Sequence, residues 1–165
     1  RHRVRFHFLR EKILLDTGGA VRNARKFLVE PFWLVNCDFL PIGFSFDAME
    51  RAHRVSGAVA TLAVRPVRPG DSFNPVGVDP RGRIVRVSKV FGRGGRNAVF
   101  LGVHRLEPQA LSGLDTRKTF PIFNGLYRNL FLSRRPIHAY AANPKLDWDL
   151  GTIEGYFSAN FSWPG

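Results

Sequence analysis

Cysteine is almost absent from this chain of 165 residues, which contains one, Cys37. A single cysteine excludes an internal disulfide, so we expect a reducing, cytoplasmic environment and a buried, inert thiol. No apolar run approaches the length of a membrane span, and residues 1–10 alternate basic and apolar side chains, unlike a signal peptide. The histidines are scattered without the spacing of zinc ligands, so a zinc site is not expected.

Acidic residues are also few. The chain has 13 Asp and Glu against 25 Lys and Arg, a net charge of +12. A basic chain suits anionic ligands, and it equally suits a solvated surface. Nucleic-acid binding is not expected, because the sequence has no recognisable module and no interleaving of aromatic and basic residues. Hydrophobic residues make up 44% of the chain, enough for the core of one domain.

Alternating strand and helix patterns occupy the first 64 residues. Residues 4–8 alternate as a half-buried strand does, and 18–28 follow as a helix. The continuous apolar run 32–36 predicts a strand covered on both faces, followed by a helix over 46–54 and a strand over 58–64. This order predicts an α/β fold of Rossmann-like type, with a mostly parallel mixed sheet flanked by helices.

The middle of the chain is rich in proline and glycine. We interpret residues 65–96 as hairpins and loops inserted into a single domain that covers 1–165. The final helix is predicted to begin after Thr152, which has the side chain of an N-cap. The remaining predicted elements are strands over 97–103 and 137–141 and helices over 107–111 and 121–132.

Two aspartates far apart in sequence each end a strand-like run. Asp38 follows the run from Phe32, and Asp149 precedes Leu150-Gly151. A carboxylate just past a strand lies at the carboxyl edge of a sheet, where open α/β folds bind their ligands. Two of them could hold Mg²⁺ against phosphates, since Mg²⁺ prefers few carboxylates plus substrate oxygens. Taken singly, each aspartate is equally an ordinary loop or turn residue.

A glycine pair lies at the start of the first predicted helix. In Thr17-Gly18-Gly19, bare backbone N–H groups at a helix N-terminus would suit a nucleotide phosphate. The alternative is a tight turn without a chemical role.

Four pieces occur in a recognisable order. The first three are L-x-T-G-G, a strand ending in N-x-D, and the segment Gly102-Val103-His104-Arg105-Leu106-Glu107-Pro108. The fourth, which closes the series, is Trp148-Asp149-Leu150-Gly151-Thr152-Ile153-Glu154-Gly155-Tyr156-Phe157-Ser158-Ala159-Asn160. In this order the chain resembles the sugar-1-phosphate nucleotidyltransferase family over residues 3–160. The closing motif is the most specific part.

The resemblance implies a nucleotide-diphospho-sugar transferase fold. It also implies that a nucleoside triphosphate and a sugar 1-phosphate form a nucleoside-diphosphate sugar and pyrophosphate. Asp38 and Asp149 would be catalytic and would hold Mg²⁺. The residues implied to contact substrates are Thr17, Gly18 and Gly19 for the nucleotide, and Asn36, Gly102 and Lys89 for the sugar phosphate.

Two family features are missing from these residues. One is a glycine-rich loop with an arginine, followed by a Pro-Lys pair, which together grip the triphosphate. The other is an E-K-P triplet, in whose place stands Ser88-Lys89-Val90. We therefore expect that the amino-terminal part of the domain is absent and that this chain alone is inactive. The alternative is a non-catalytic nucleotide-sugar-binding or regulatory protein with the same fold.

Overall fold

The computed structural model describes residues 4–69, 71, 75–114, 118–142 and 146–161, and of 39–42 and 146–149 only the backbone. The helices are α1 (Asp16–Ala24), α2 (Phe46–Ser56), α3 (Arg128–Leu132) and α4 (Ile153–Phe161). Short 3₁₀ turns lie at Arg25–Phe27 and Pro108–Leu111, and a π-helical segment, Phe123–Tyr127, leads into α3. The strands are β1 (Phe32–Val35), β2 (Phe39–Ile42), β3 (Ala60–Pro66), β4 (Val76–Val78), β5 (Ile84–Val87), β6 (Phe91–Gly92), β7 (Arg96–Leu106), β8 (Ile137–Ala141) and β9 (Leu146–Asp149).

The strands form one large sheet and one small one. The large sheet has the order β6-β5-β4-β7-β3-β8, and β1 pairs with the carboxyl-terminal half of β7. Strands β2 and β9 form a separate antiparallel ribbon. The α/β class and the mixed sheet flanked by helices are therefore confirmed.

Local signals fixed the helix ends. The Ser45 hydroxyl accepts a hydrogen bond from the N–H of Ala48 at the start of α2, and Gly57 ends this helix in the left-handed conformation with φ 61°. At the start of α4, the Thr152 hydroxyl accepts from the N–H of Gly155 at 3.0 Å. The predicted N-cap is confirmed.

The core lies on both faces of the large sheet, and β3 is buried almost throughout. Because successive strand residues face opposite sides, Leu62 packs towards Leu126 and Leu130, while Ala63 packs in a smaller cluster with Met49 of α2. No helix among the described residues is long and apolar enough to cross a membrane.

The prediction that the sheet is mostly parallel is wrong for the described strands. Their one parallel pair is β3 with β8, and the other pairs are antiparallel. The cause is β7, which lies between β1 and β3 and runs antiparallel to both. Strands β1, β3 and β8 still share one direction, as the β-α-β order requires, but β1 and β3 are not neighbours.

Two further expectations near the amino terminus are wrong. Residues 4–10 form no strand, and the side chains of Phe6 and Phe8 are 73% and 91% exposed. Alternation makes a strand only where a neighbour supplies hydrogen bonds, and no described strand pairs with this segment. Strand β1 is half-buried rather than covered on both faces, with Val35 exposed.

Candidate functional site

The β2–β9 ribbon connects two distant points of the large sheet. Strand β2 continues from the carboxyl end of β1, and β9 follows β8, while β7 and β3 lie between β1 and β8. Since β1, β3 and β8 run in one direction, their carboxyl ends share one edge of the sheet. This is the edge at which open α/β sheets bind ligands.

The ribbon places Asp38 beside Asp149. Phe39 is the register partner of Asp149, and the N–H of Leu150 donates to the carbonyl oxygen of Asp38 at 2.7 Å. Asp38 is exposed, and its carboxylate makes no hydrogen bond or ion pair with any residue the structure describes. The side chain of Asp149 lies outside the described residues, so the backbone alone defines this pairing.

Asn36 and Gly102 are also neighbours. The N–H of Asn36 donates to the carbonyl oxygen of Gly102 at 2.8 Å. Gly102 is buried within β7 and has φ 69°, at the point where the β3–β7 register shifts between Leu62 and Val64. A side chain would strain this backbone, so glycine is required here for the bulge that tethers the end of β1.

A cavity of about 640 Å³ opens next to Asp38, and we call it the aspartate cavity. Its size is in the range of small-molecule sites. Its polar lining is supplied by Glu11, Asp16, Thr17, Asn36, Cys37, Asp38 and Thr119. No described Lys, Arg or His lines it. The charged side chains that a phosphate-bearing ligand would meet on the described wall are therefore all carboxylates, which repel it unless a cation accompanies it.

The two glycines of α1 have a packing role that sequence reasoning missed. A Cβ on Gly18 would lie 2.4 Å from the Phe120 ring, and one on Gly19 would lie 2.6 Å from the carbonyl oxygen of Lys118. The N–H of Gly18 already donates to the carbonyl oxygen of Phe120 at 3.1 Å. The expectation that Gly18 presents a free N–H to a nucleotide is therefore wrong, because this group is occupied.

Asp16 and Glu11 are cavity residues that the sequence did not single out. Asp16 has φ 59°, uncommon for a residue with a side chain, and its carboxylate accepts from the N–H of Thr17 at 2.6 Å. Glu11 accepts from the N–H of Leu15 at 3.0 Å. The only signal was an acidic residue, Asp16, in the first turn of α1, and the helix dipole already accounts for it.

Lys89 and Cys37 differ in their relation to the cavity. Lys89 is exposed in the turn between β5 and β6, with φ 60°, and it does not line the aspartate cavity. Strands β4, β5 and β7 separate that turn from β1. Cys37 is exposed and lines the cavity, which corrects the expectation of a buried thiol.

Asp38 and Asp149 are the residues from which the resemblance implies a Mg²⁺ site. Among the described residues, no group of three or more His, Cys, Asp or Glu side chains is arranged to hold a metal ion. The described residues therefore do not form a metal site made of protein ligands alone. Two carboxylates at one sheet edge are a donor set that Mg²⁺ accepts when phosphate oxygens complete its shell.

Arg105 ties β1, which leads into Asn36 and Asp38, to α2. Its guanidinium donates to Glu50 and to the carbonyl oxygen of Phe32 at 3.3 Å, and lies 5.3 Å from the Trp33 ring centroid. The hydrogen bond from Arg105 lowers the pKa of Glu50 from 4.5 to about 2, with a smaller contribution from Arg54. Glu50 is therefore charged at neutral pH.

No family model and no curated protein matches this chain. Solved structures do match it, and they define the fold class as sugar-1-phosphate nucleotidyltransferase-like. A UDP-glucose pyrophosphorylase complexed with UDP-glucose has a TM-score of 0.73 and 21% identity, covering 96% of this chain and 65% of that one. HddC from Yersinia pseudotuberculosis has a TM-score of 0.68 and 18% identity, covering 93% and 64%.

A third match is the UTP-bound UGPase from Acinetobacter baumannii, with a TM-score of 0.68 and 21% identity, covering 90% of this chain and 56% of that one. HddC has also been crystallised with GMP-PN. The chain thus shares the fold of these enzymes and spans less than two thirds of their length. At these identities the likeness establishes the fold and no residue role.

Proposed function

We propose that the chain is a nucleotidyltransferase domain that takes part in making a nucleoside-diphosphate sugar from a nucleoside triphosphate and a sugar 1-phosphate. The observation that supports this proposal is the β2–β9 ribbon, which brings the backbones of Asp38 and Asp149 together. They lie at the edge where open α/β sheets in general bind ligands. The solved structures that share the fold include ones bound to UTP and to UDP-glucose, which supports the same class of substrates.

The reaction is a displacement at phosphorus. A phosphate oxygen of the sugar 1-phosphate attacks the α-phosphorus, a new P–O bond forms, and the bond to the leaving pyrophosphate breaks. Negative charge grows on the oxygens around the α-phosphorus, so catalysis depends on positioning and charge neutralisation. Bound Mg²⁺ supplies positive charge to the phosphate oxygens.

In this proposal Asp38 and Asp149 would hold Mg²⁺, which would neutralise charge on the phosphate oxygens. The aspartate cavity receives the nucleotide, with Thr17 on its wall and Gly18 and Gly19 behind that wall. Thr17 can donate or accept a hydrogen bond through its hydroxyl, whereas Gly18 shapes the wall by letting Phe120 pack closely.

The sugar phosphate would bind near Asn36, just after β1, and Gly102 of the neighbouring β7. These two residues are joined by a backbone hydrogen bond of 2.8 Å. Lys89 is the weaker candidate for this role, since its turn lies at the other edge of the large sheet. Asn36 offers both an amide donor and a carbonyl acceptor to a phosphate or a hydroxyl.

We also propose that these 165 residues alone catalyse the reaction only slowly. The aspartate cavity has no described Lys or Arg on its wall, so binding the triphosphate requires basic groups from outside the cavity. A cytoplasmic location is part of the same proposal, because an exposed thiol such as Cys37 stays reduced there and the nucleotide substrates are abundant.

The test is a pyrophosphate-release assay in which each common nucleoside triphosphate is paired with glucose 1-phosphate and mannose 1-phosphate, with and without Mg²⁺. Mass spectrometry then identifies the nucleoside-diphosphate sugar. A Mg²⁺-dependent product, lost in Asp38→Asn and kept in Asp47→Asn, is the expected result. Asp47 is an exposed carboxylate in the first turn of α2 and serves as the matched control.

The second candidate is a non-catalytic nucleotide-sugar-binding or regulatory protein with the same fold. The acidic wall of the aspartate cavity favours it, since catalysis on a triphosphate normally uses basic groups as well. Binding of UDP-glucose without any product would support this candidate. Neither binding nor product, in a folded protein, would contradict both.

A further inference from the structure

Four aromatic side chains form a row across one face of the large sheet. We call it the aromatic row, and its members are Trp33 of β1, Phe46 at the start of α2, Phe44, and Tyr140 of β8. Consecutive ring centroids lie 5.0, 4.9 and 6.0 Å apart, and the ring planes meet at 87°, 76° and 87°. Edge-to-face packing of this kind is favoured between aromatic rings. The row therefore connects β1 with β8, although β7 and β3 separate them in the sheet.

The aromatic row is anchored in the smaller core cluster, on the face of the sheet that α2 covers. Trp33, Phe44 and Tyr140 all pack against the buried members of this cluster, which are Met49, Ala63, Leu101, Val103 and Ala142. The guanidinium of Arg105 lies over the Trp33 ring and is held by Glu50. Rings that are packed against a core in this way have little freedom to move, so the row is a fixed support.

Phe44 comes directly after the ribbon strand β2. Only Gly43, with φ 78°, stands between the end of β2 and Phe44, and it allows the sharp change of direction there. The start of the same segment is fixed by the N–H of Asn36, which donates to the carbonyl oxygen of Gly102 at 2.8 Å. Asp38 and β2 are therefore held between two attachment points, and the second of these is the Phe44 ring.

Tyr140 has the corresponding position for the other ribbon strand. It belongs to β8, and just beyond this strand the N–H of Ala142 donates to the carbonyl oxygen of Val64 at 2.8 Å. The chain is thus still attached to β3 when it leaves β8 for β9. The contact between the Phe44 and Tyr140 rings therefore joins the chain that leaves β2 to the chain that leads into β9.

The register of the ribbon depends on support of this kind. Four residues pair on each side, from Phe39 with Asp149 to Ile42 with Leu146. A two-stranded ribbon is marginally stable alone, and no tight turn joins β2 to β9 to set their register. A slip of one residue would change the partner of Asp149 and break the hydrogen bond between Leu150 and Asp38.

We propose that Phe44 is a positioning residue, which fixes the register of the β2–β9 ribbon through its contact with Tyr140 and thereby sets Asp38 relative to Asp149. Phe44 is not among the described residues that line the aspartate cavity, so it acts through the ribbon rather than by touching a ligand. The inference rests on the proposed function, in which the two aspartates would hold Mg²⁺.

The first test uses the full chain without any ligand and measures hydrogen–deuterium exchange residue by residue. Phe44→Ala should speed exchange of the Leu150 N–H and of the ribbon amides by about tenfold, while the amides of β3 and β7 keep their rates. Phe44→Tyr keeps the ring and should restore the slow exchange. Phe44→Leu, which keeps most of the apolar volume, provides the same comparison with less disturbance of the fold.

Phe91→Ala is the matched control. Phe91 is also partly buried, and its ring stacks on Phe131 at 4.6 Å at the opposite edge of the large sheet. This variant should lower the thermal unfolding midpoint as Phe44→Ala does, but leave exchange in the ribbon unchanged. Equal acceleration of ribbon exchange in the two variants, or none in Phe44→Ala, would overturn the inference.

The second readout is the Mg²⁺ concentration needed for nucleotide to protect Cys37, the exposed thiol of the aspartate cavity, from alkylation by a maleimide. With UTP or GTP present, Phe44→Ala should need about tenfold more Mg²⁺ for half-maximal protection, since loss of the groups that orient metal ligands weakens metal binding by this order. Phe44→Tyr and Phe91→Ala should match the unsubstituted chain. A lower unfolding midpoint in Phe44→Ala with an unchanged Mg²⁺ requirement would contradict the positioning role.

The two readouts separate this inference from the proposed function. Faster ribbon exchange in Phe44→Ala, without Mg²⁺-dependent protection in the unsubstituted chain, contradicts the proposed function and supports the hold of Phe44 on the ribbon. Mg²⁺-dependent protection that Phe44→Ala leaves unchanged contradicts this inference alone.

Discussion

The N–H of Leu150 donates a hydrogen bond of 2.7 Å to the carbonyl oxygen of Asp38. The two residues are 112 positions apart in the sequence, and the strands that lead to them, β1 and β8, are separated by β7 and β3. The ribbon formed by β2 and β9 bridges that distance. The backbones of Asp38 and Asp149, which β1 and β8 alone would leave apart, are thereby brought together at one edge of the sheet.

Gly18 should not tolerate a side chain. Gly18→Ala would push a methyl group to 2.4 Å from the Phe120 ring, so we expect a loss of about 1–3 kcal/mol in the free energy of unfolding. Urea denaturation measures it. In a Phe120→Leu background the added loss should be smaller but should not vanish, because the ring is gone while the backbone carbonyl oxygen of residue 120 still lies 2.6 Å from the new Cβ. Additive losses would show that Gly18 and Phe120 do not compete for this space.

The ion pair between Glu50 and Arg105 makes stability depend on acid pH. The pKa of Glu50 is lowered from 4.5 to about 2, chiefly by the hydrogen bond from Arg105. Its stabilising contribution is therefore complete above pH 4.5 and is lost as the pH falls towards 2. Glu50→Gln should reduce the slope of unfolding free energy against pH in this window. An unchanged slope would contradict the assignment.

His104 makes the stability of the fold depend on pH in a higher range than Glu50 does. It is buried and hydrogen-bonded to the hydroxyl of Tyr127 at 2.6 Å, and burial lowers its pKa from 6.5 to about 3. The unfolded chain binds a proton below pH 6.5 and the folded chain does not, so stability falls as the pH drops from 6.5 towards 3. His104→Asn keeps a hydrogen-bonding group but removes this titration. The variant should show a flatter pH dependence between pH 6.5 and 5, which denaturation midpoints would reveal.

Duplex DNA should bind weakly despite the net charge of +12. Several arginines of the basic region 65–105 are engaged within the fold: Arg65 with Asp71, Arg83 with Asp79, and Arg105 with Glu50. Fluorescence anisotropy with random duplex DNA should show binding that disappears at physiological salt. Tight, salt-resistant binding to one sequence would contradict the nucleotidyltransferase interpretation.

Local sequence signals predicted the elements whose ends are set by nearby residues. The predicted helix over 46–54 is α2, which Ser45 caps, the predicted start of α4 is confirmed at Thr152, and the predicted strand over 137–141 is β8. Capping is a local hydrogen bond and can be read from a few neighbouring residues. The order of strands cannot be read in this way.

The position of β7 is the clearest example. The β-α-β order predicted the common direction of β1, β3 and β8 correctly, but no local pattern indicates that the strand after the hairpin region enters between β1 and β3. The packing of Gly18 against Phe120 depends on a contact across 102 positions. The aspartate pair was predicted only through the resemblance and the motif order, since each residue alone is an ordinary strand-end carboxylate.

The central claim is that Asp38 and Asp149 bind a metal–nucleotide complex in the aspartate cavity, and Cys37 provides a direct reporter. This thiol is the only one in the chain, is exposed, and lines the cavity. The measurement is the rate of its alkylation by a maleimide with UTP or GTP present, with and without Mg²⁺.

We predict that nucleotide slows the alkylation of Cys37 only when Mg²⁺ is present. Asp38→Asn and Asp149→Asn should abolish this protection, because an amide keeps the shape of the carboxylate but not its charge. Asp147→Asn, two residues before Asp149 and outside the closing motif, should retain it. Protection that is independent of Mg²⁺, or equal in all three variants, would contradict the account.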